Sequence, residues 1–364
     1  MKNNIKRRDF LKYASGLILS STLPLKISYS NEHINKNFDE KILVVLELSG
    51  GNDGLNTIVP YADDAYYNHR PKIGIKENKL LKIDDHFGFN PGITGLESLY
   101  KEGQMAIMHG CGYDNPSFSH FTSMAYMHTA APNSGEEYGW MGRLADEMAP
   151  PSYKNFLINI DKTQSLAVRS KKHVPIVFDH PQRFQREGFY SQKEILEAVN
   201  PDLETTYNNS AQYFLNKISE SANEASNMIS QAWLNYSRQV DYGIAPQDLD
   251  KIAALIEAKV PAKLYYTSFR DNAFDTHVHQ SNLHQRLLTY ASDAIRGFMN
   301  DIKRIGREDD VVLLVITEFG RRVPENTSLG TDHGSAGPMF IIGKPVKGGH
   351  YGQIPDLING LDEG

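Results

Sequence analysis

The chain of 364 residues holds a single cysteine, Cys111. That excludes an internal disulfide framework and a zinc site built on thiolates. Basic charge is scarce once the N-terminal region is set aside. Residues 1–30 carry six Lys/Arg against one acid, and the remainder holds 32 basic and 43 acidic side chains, a net of −11. So acidic a chain is a poor partner for nucleic acid, whose phosphates need basic surface. Long apolar runs are lacking too: Tyr13 to Leu25 is about a dozen residues where a bilayer span needs roughly 20. No internal repeat or low-complexity tract is apparent. What remains, at 40% hydrophobic and 23% charged, is the composition of a globular domain with a sizeable core.

Lys6-Arg7-Arg8-Asp9-Phe10-Leu11-Lys12 precedes the apolar stretch, and Ser28-Tyr29-Ser30 follows it as a small-x-small site. The order basic, apolar, small predicts a secretory signal over 1–30. The arginine pair followed by x-Phe-Leu-Lys looks like a twin-arginine signal, which exports proteins already folded and often loaded with cofactor. The other reading is a basic amphipathic helix that stays attached. On the first, the mature domain covers 31–364, is periplasmic or extracellular, and keeps no transmembrane anchor after cleavage.

Ile42–Leu48 is a short apolar run bounded by Ser-Gly-Gly, as expected of a strand buried on both faces. Similar runs recur at Met105–His109, Phe156–Ile160, Pro175–Phe178, Leu264–Thr267, Val311–Thr317 and Pro338–Ile342. Helical patterns lie between them, at Ser119–His128 and at Ser281–Ile305, the latter with Leu283, Leu287, Leu288, Ala291, Ile295 and Phe298 on a stripe. Strands alternating with helices predict an α/β fold with a central, mostly parallel sheet sandwiched by helices. Residues 189–257, polar and without a strand signal, read as a helical insertion, helical over Leu203–Val240. The chain stops at Asn359–Gly364 in a loop pattern with no closing helix, as expected of an incomplete C-terminal end.

Open α/β sheets bind ligands at the carboxyl ends of their strands, and chemistry-bearing residues follow four of the predicted strands or precede a helix. Asp53, in Ser49-Gly-Gly-Asn-Asp-Gly54, is either a hard metal ligand or part of an Asn-Asp-Gly turn. Ser117 and Ser119, opening a helix, are either N-caps or hydroxyls at an anion-favouring helix terminus. Asp275 and His277 sit in Asp-Thr-His-Val-His, where one carboxylate and two imidazoles within five residues suit a metal. Glu318, Arg321 and Arg322 end the Val311 strand, and Asp332 and His333 follow in Thr-Asp-His-Gly. There a carboxylate supplies a ligand and a guanidinium an oxyanion clamp, unless Glu318 and Arg321 form an exposed ion pair. Brought together, Asp53, Asp275, His277, Glu318, Asp332 and His333 make an oxygen and nitrogen set suited to one or two divalent metals.

These motifs in this order (Ser-Gly-Gly-Asn-Asp-Gly-Leu-Asn-Thr at 49–57, Ser119-His120-Phe121, Phe274-Asp-Thr-His277 with Gln280, Thr317-Glu-Phe-Gly-Arg321, Thr331-Asp-His-Gly334) resemble the domain of unknown function 1501 family. That family is placed beside sulfatases in the alkaline-phosphatase-like superfamily. The resemblance implies an alkaline-phosphatase-like fold, with Asp53 as first-strand ligand, Ser119 or Ser117 as nucleophile, Asp275 and His277 as a ligand pair, Glu318 as late-strand ligand and His333 as the final histidine. Phe319 stands where alkaline phosphatases continue with His, and no Cys-x-Pro-x-Arg stretch exists, so formylglycine chemistry is not expected.

The expectation is an exported hydrolase of phosphate or sulfate esters using one or two divalent ions among Zn, Ca, Mg and Mn. Its substrate would be a small anionic ester or a sulfated or phosphorylated glycan; catalytic roles fall to Ser119 or Ser117, and to Arg321 or Arg322. The competing expectation is a non-catalytic envelope binding or assembly protein that keeps the fold and meets a protein partner. Phosphoryl isomerisation is a third, disfavoured by export.

Overall fold

The computed structural model describes residues 41–184, 224–359 and 361. The predicted signal over 1–30 and positions 189–223 of the predicted insertion lie outside them. The first strand, β1 (Ile42–Glu47), shows why the sheet is central. Val44 and Leu46 point into one apolar cluster and Val45 into another, so the period of two feeds a core on each face.

Short elements follow: β2 (Ile58–Val59), α1 (Asp64–His69), β3 (Leu81–Lys82) and β4 (Gly88–Phe89). Then come α2 (Thr94–Lys101), β5 (Met105–Cys111), α3 (His120–Thr129), α4 (Trp140–Met148), β6 (Leu157–Ile160) and β7 (Ile176–Phe178). The rest is α5 (Leu249–Glu257), β8 (Leu264–Ser268), α6 (Gln280–Arg304), β9 (Val311–Ile316), β10 (Gly337–Ile342) and β11 (Gly349–Gly352). Eight strands form one sheet in the order β11-β5-β10-β9-β1-β8-β6-β7, and β2-β4-β3 make a small second sheet. β1 pairs in parallel with both β8 and β9, β6 in parallel with β8 and β7, and β11 in parallel with β5. Within the eight-stranded sheet β10 is antiparallel to both its neighbours, β5 and β9. Helices cover both faces. The larger core collects residues of α2, α5 and α6 (Leu96, Leu99, Ile252, Leu288, Ile295, Phe298), and the other takes Met141 and Ala145 of α4. The architecture is a mostly parallel α/β sheet sandwiched by helices.

Helix α6 differs from its predicted stripe. The buried residues include His284, Leu288, Ala291, Ile295, Phe298 and Ile302, while Leu283 is 40% exposed and Leu287 only partly buried. The buried face follows the i, i+4, i+7 spacing from a polar start, and Leu283 leaves the helix beside it. Of the predicted insertion, 224–235 and α5 are helical and join the larger core. Residues 236–240, expected as helix, are irregular. Among the described residues no helix is long and apolar enough to cross a membrane.

Register decides where the chemistry goes. Glu47 at the end of β1 lies opposite Ser268 of β8 and Ile316 of β9. Three parallel strands therefore end level, and their loops leave side by side: 48–56, 269–279 and 317–333. β5 runs the same way, since it and β9 are both antiparallel to β10, so the segment opening α3 joins them.

Candidate metal centre

The loop after β1 is built around two glycines with positive φ, Gly50 at 114° and Gly51 at 75°. A Cβ at Gly50 would come within 2.5 Å of Asp275 N, and one at Gly51 within 2.3 Å of the Phe319 ring. Only glycine lets this backbone lie so close to both neighbouring loops. Its amides then serve a carboxylate. Gly50 N and Gly51 N donate to Glu318 at 2.9 and 3.0 Å, and Glu318 has no exposed side-chain area. The remaining partner of Glu318 Oε1 is His120 Nδ1, at 2.8 Å.

His120 is the first residue of α3. Its Nδ1 faces an acceptor-only carboxylate and so carries a proton; in the neutral ring Nε2 then offers a lone pair. That Nε2 is buried without a hydrogen-bond partner and faces Asp275 Oδ2 at 3.3 Å. The hydrogen bond to Glu318 raises the His120 pKa, against desolvation, with the charges of Glu318 and Asp275 adding to the rise.

Two further imidazoles repeat the arrangement. His333 Nδ1 donates to the Phe118 carbonyl at 2.6 Å, and its Nε2 lies 3.2 Å from Asp275 Oδ1. His277 Nδ1 lies 3.2 Å from Asp332 Oδ1, and its Nε2 is 2.9 Å from both His333 Nε2 and Asp275 Oδ1. In the neutral rings each Nδ1 proton is directed outward, so Nε2 lone pairs face one carboxylate, to which Arg321 Nη2 donates at 2.6 Å while Nη1 lies 3.4 Å from His277 Nε2. His277 Nε2 and His333 Nε2, 2.9 Å apart, repel as lone pairs unless a proton or a metal ion lies between them. Histidines whose outer nitrogen is tied to a carboxylate or carbonyl are how proteins prepare imidazoles for metal. The ligand atoms of His120, Asp275 and His333 lie within 4.8 Å of one another, the one such grouping among the described residues. Phe319 walls it, its ring 5.0 Å from that of His120 and 4.6 Å from that of His333.

The remaining residues singled out by sequence are placed as follows. Asp53 is fully buried and paired with Arg70 Nη1 at 2.7 Å, with Gln280 Nε2 donating to the same oxygen. Burial raises its pKa, but Arg70, His284 and these hydrogen bonds bring it below the ordinary carboxylate value. Arg321 is also buried. It donates to Gly51 O at 2.7 Å, Thr331 O at 2.9 Å, Gly50 O, and Asp275 Oδ1 at 2.6 Å. Burial raises the Asp275 pKa, and the hydrogen bond and charge of Arg321 outweigh it, leaving the carboxyl at about 2. The guanidinium thus orients a carboxylate instead of facing solvent. Arg322 stacks over the Phe118 ring at 5.6 Å. Asp332 is exposed and touches the centre through His277. Ser117 Oγ accepts from Ser119 N at 3.2 Å, whereas Ser119, exposed at the N-cap of α3, makes no side-chain capping bond. The structure therefore brings Asp275, His277 and His333 together, sets Glu318 and Asp332 behind them, and gives Asp53 to Arg70. His120 was missed as a ligand candidate. Its one local signal was an imidazole directly after Ser119 at a strand-to-helix turn.

No curated protein sequence matches the chain. Among solved structures, it is similar to a protein in the alkaline phosphatase superfamily from Vibrio parahaemolyticus (TM-score 0.41, 14% identity, covering 88% of this chain and 64% of that one). The chain thus spans less than two-thirds of that protein's length. It is similar to the lipoteichoic acid synthase LtaP from Listeria monocytogenes (TM-score 0.39, 10% identity, 95% of this chain and 76% of that one). It is also similar to the C-terminal periplasmic domain of EcEptC from Escherichia coli in complex with Zn (TM-score 0.37, 11% identity, 85% and 75%). Likeness at this level transfers no reaction. The model of the family described as protein of unknown function (DUF1501) matches residues 40–362, and the chain belongs to that family.

Proposed function

We propose that the chain is an exported, metal-dependent hydrolase of phosphate or sulfate esters with one divalent ion held by His120, Asp275, His277 and His333. The observation that carries this reading is the convergence of Nε2 atoms on Asp275 while each Nδ1 is committed to an acceptor. A set of three imidazoles and one carboxylate suits zinc among the divalent ions considered. Asp53 and Glu318 fall outside the set because Arg70 and backbone amides already neutralise or saturate them, which supports one ion over two.

When bound, the metal supplies Lewis acidity toward an ester oxygen and lowers the pKa of a bound hydroxyl or water. The chain's own residues do the rest. Asp275 is held ionised by Arg321 and oriented toward the centre. Ser119 presents an uncommitted hydroxyl beside His120 at a helix N-terminus, where the peptide dipole favours developing negative charge. Asp275 and His277 are 31% and 36% exposed, which leaves the centre open to a small anionic ester or a sulfated or phosphorylated glycan. The signal-like residues 1–30 support export in the folded, metal-loaded state to the periplasm or cell exterior.

Metal analysis of the native protein and assays with aryl phosphate and aryl sulfate test this. Stoichiometric metal and turnover that Ser119→Ala abolishes, with the fold and metal retained, are the expected results. Native protein without metal overturns the reading. A second reading, an envelope binding module that keeps the fold, is favoured by the internal commitment of Arg321, which leaves no free clamp at that position. Absent turnover in the wild type with intact metal would select it.

A further inference from the structure

Helix α3 carries His120 into the centre, yet its sequence provides almost no apolar seat. Its buried residues are Ser123 and Thr129, both polar, and Phe121 is 90% exposed. Met127 is its one partly buried contribution to an apolar cluster. A helix such as α6 is held by a continuous stripe; α3 is held by polar pins instead. Ser123 Oγ donates to Ser117 O at 2.7 Å, and Arg143 Nη2 to Thr129 O at 2.6 Å. Two further pins are histidine–glutamate pairs, one at each end. His120 meets Glu318, and His128 Nε2 lies 2.8 Å from Glu47 Oε2. The Tyr266 hydroxyl joins the second pair, donating to Glu47 and lying 3.0 Å from His128 Nε2.

Glu47 is 2% exposed and ends β1, in register with Ile316 of the neighbouring strand, two residues before Glu318. His120 and His128 are separated by a little over two turns, about 12 Å along the axis. The helix is thus a short rod mounted at both ends on the edges of two adjacent strands. Moving one mount tilts the other.

Resting on the metal reading above, we propose that His128, with Glu47 and Tyr266, is a positioning group for the metal centre: it fixes the far end of α3 and so holds His120 Nε2 opposite Asp275 and His333. Its removal also leaves Glu47 buried with a single hydroxyl partner, which drives the helix end away from β1.

Cobalt(II) titration of the whole chain, followed by the visible d–d band, tests this, with circular dichroism as the check on folding. His128→Ala is expected to weaken cobalt binding about tenfold, the low end of the loss when outer support of a ligand is removed, and to change the band intensity. His128→Gln, whose amide nitrogen reaches Glu47 from near the place of Nε2, restores both. Tyr266→Phe removes one hydroxyl from the same cluster and gives a smaller loss; it carries the test if the alanine variant does not fold. Wild-type protein that takes up no cobalt overturns the metal reading, and this inference with it. Cobalt uptake by the wild type, with unchanged affinity and band in the histidine-to-alanine and tyrosine variants, overturns the positioning role alone. So does a glutamine variant as impaired as the alanine one.

Discussion

Replacing Glu318 by Gln is the sharpest perturbation of the centre, because it keeps shape and removes only charge and acceptor capacity. Each carboxylate oxygen of Glu318 accepts from at least two donors: Gly50 N and His120 Nδ1 on Oε1, and Gly50 N, Gly51 N and Thr317 Oγ1 on Oε2. A glutamine has one oxygen. Whichever way its amide turns, an NH2 group faces a donor, either Gly51 N–H or His120 Nδ1–H. A hydrogen bond to a charged group contributes about 1.5–3 kcal/mol. If that loss falls on the preparation of His120, it corresponds to about 10- to 100-fold in metal affinity, the range found for outer partners of metal-bound histidines. Zinc competition against a chelator at pH 7.5 measures it. Folded Glu318→Gln protein, verified by circular dichroism, that binds zinc as tightly as the wild type refutes the argument that the His120 tautomer prepares the site.

Asp53→Asn is expected to behave in the opposite way. It strips the charged partner from the buried Arg70, which keeps only Val323 O, Arg322 O and the Asn56 amide as acceptors beside the new amide, and lowers unfolding stability by about 3–5 kcal/mol in urea titration, while zinc affinity of the folded fraction stays within about twofold, since Asp53 lies outside the proposed ligand set. A large loss of zinc affinity with stability intact would restore Asp53 as a ligand. Acid sensitivity comes from elsewhere. His109 stacks on Phe87 and His350, and desolvation, with the His350 charge, lowers its pKa from 6.5 to about 4. Because the folded pKa is below the unfolded one, the unfolded chain takes up the proton first. The contribution is complete above pH 6.5 and is lost as pH falls toward 4, at up to about 1.4 kcal/mol per pH unit. Urea midpoints between pH 7.5 and 4.5 should fall in the wild type and fall less steeply in His109→Gln, since His284, also held at about 4 by burial, keeps its share of the slope; parallel slopes in the two proteins rule the cause out.

Much of the fold was legible because its signals are local. The apolar run at Ile42–Leu48 becomes β1, and the runs at Val311–Thr317 and Leu264–Thr267 become β9 and β8, each bounded within a residue or so by polar punctuation. The short pieces β2, β3 and β11 carry no such pattern. Gly349-His-Tyr-Gly352 exists as a strand because β5 offers it an edge. Leu283 shows the limit of a stripe read by eye: a hydrophobic residue one position off the buried row is exposed, while the polar His284 takes the inside place and bonds Asn52 at 2.9 Å.

The sequence by itself determined that carboxylates and imidazoles leave the carboxyl ends of buried strands, since strand length and its polar stop are written in a few consecutive residues. The roles of those groups were decided only in three dimensions. Asp53 meets a guanidinium from α1's far end, Glu318 meets amides 268 and 267 positions away, and His120 is turned toward Asp275 by Glu318. Strand order brings these partners together. The charge state and freedom of a buried group depend on its neighbours in space, which no local pattern records.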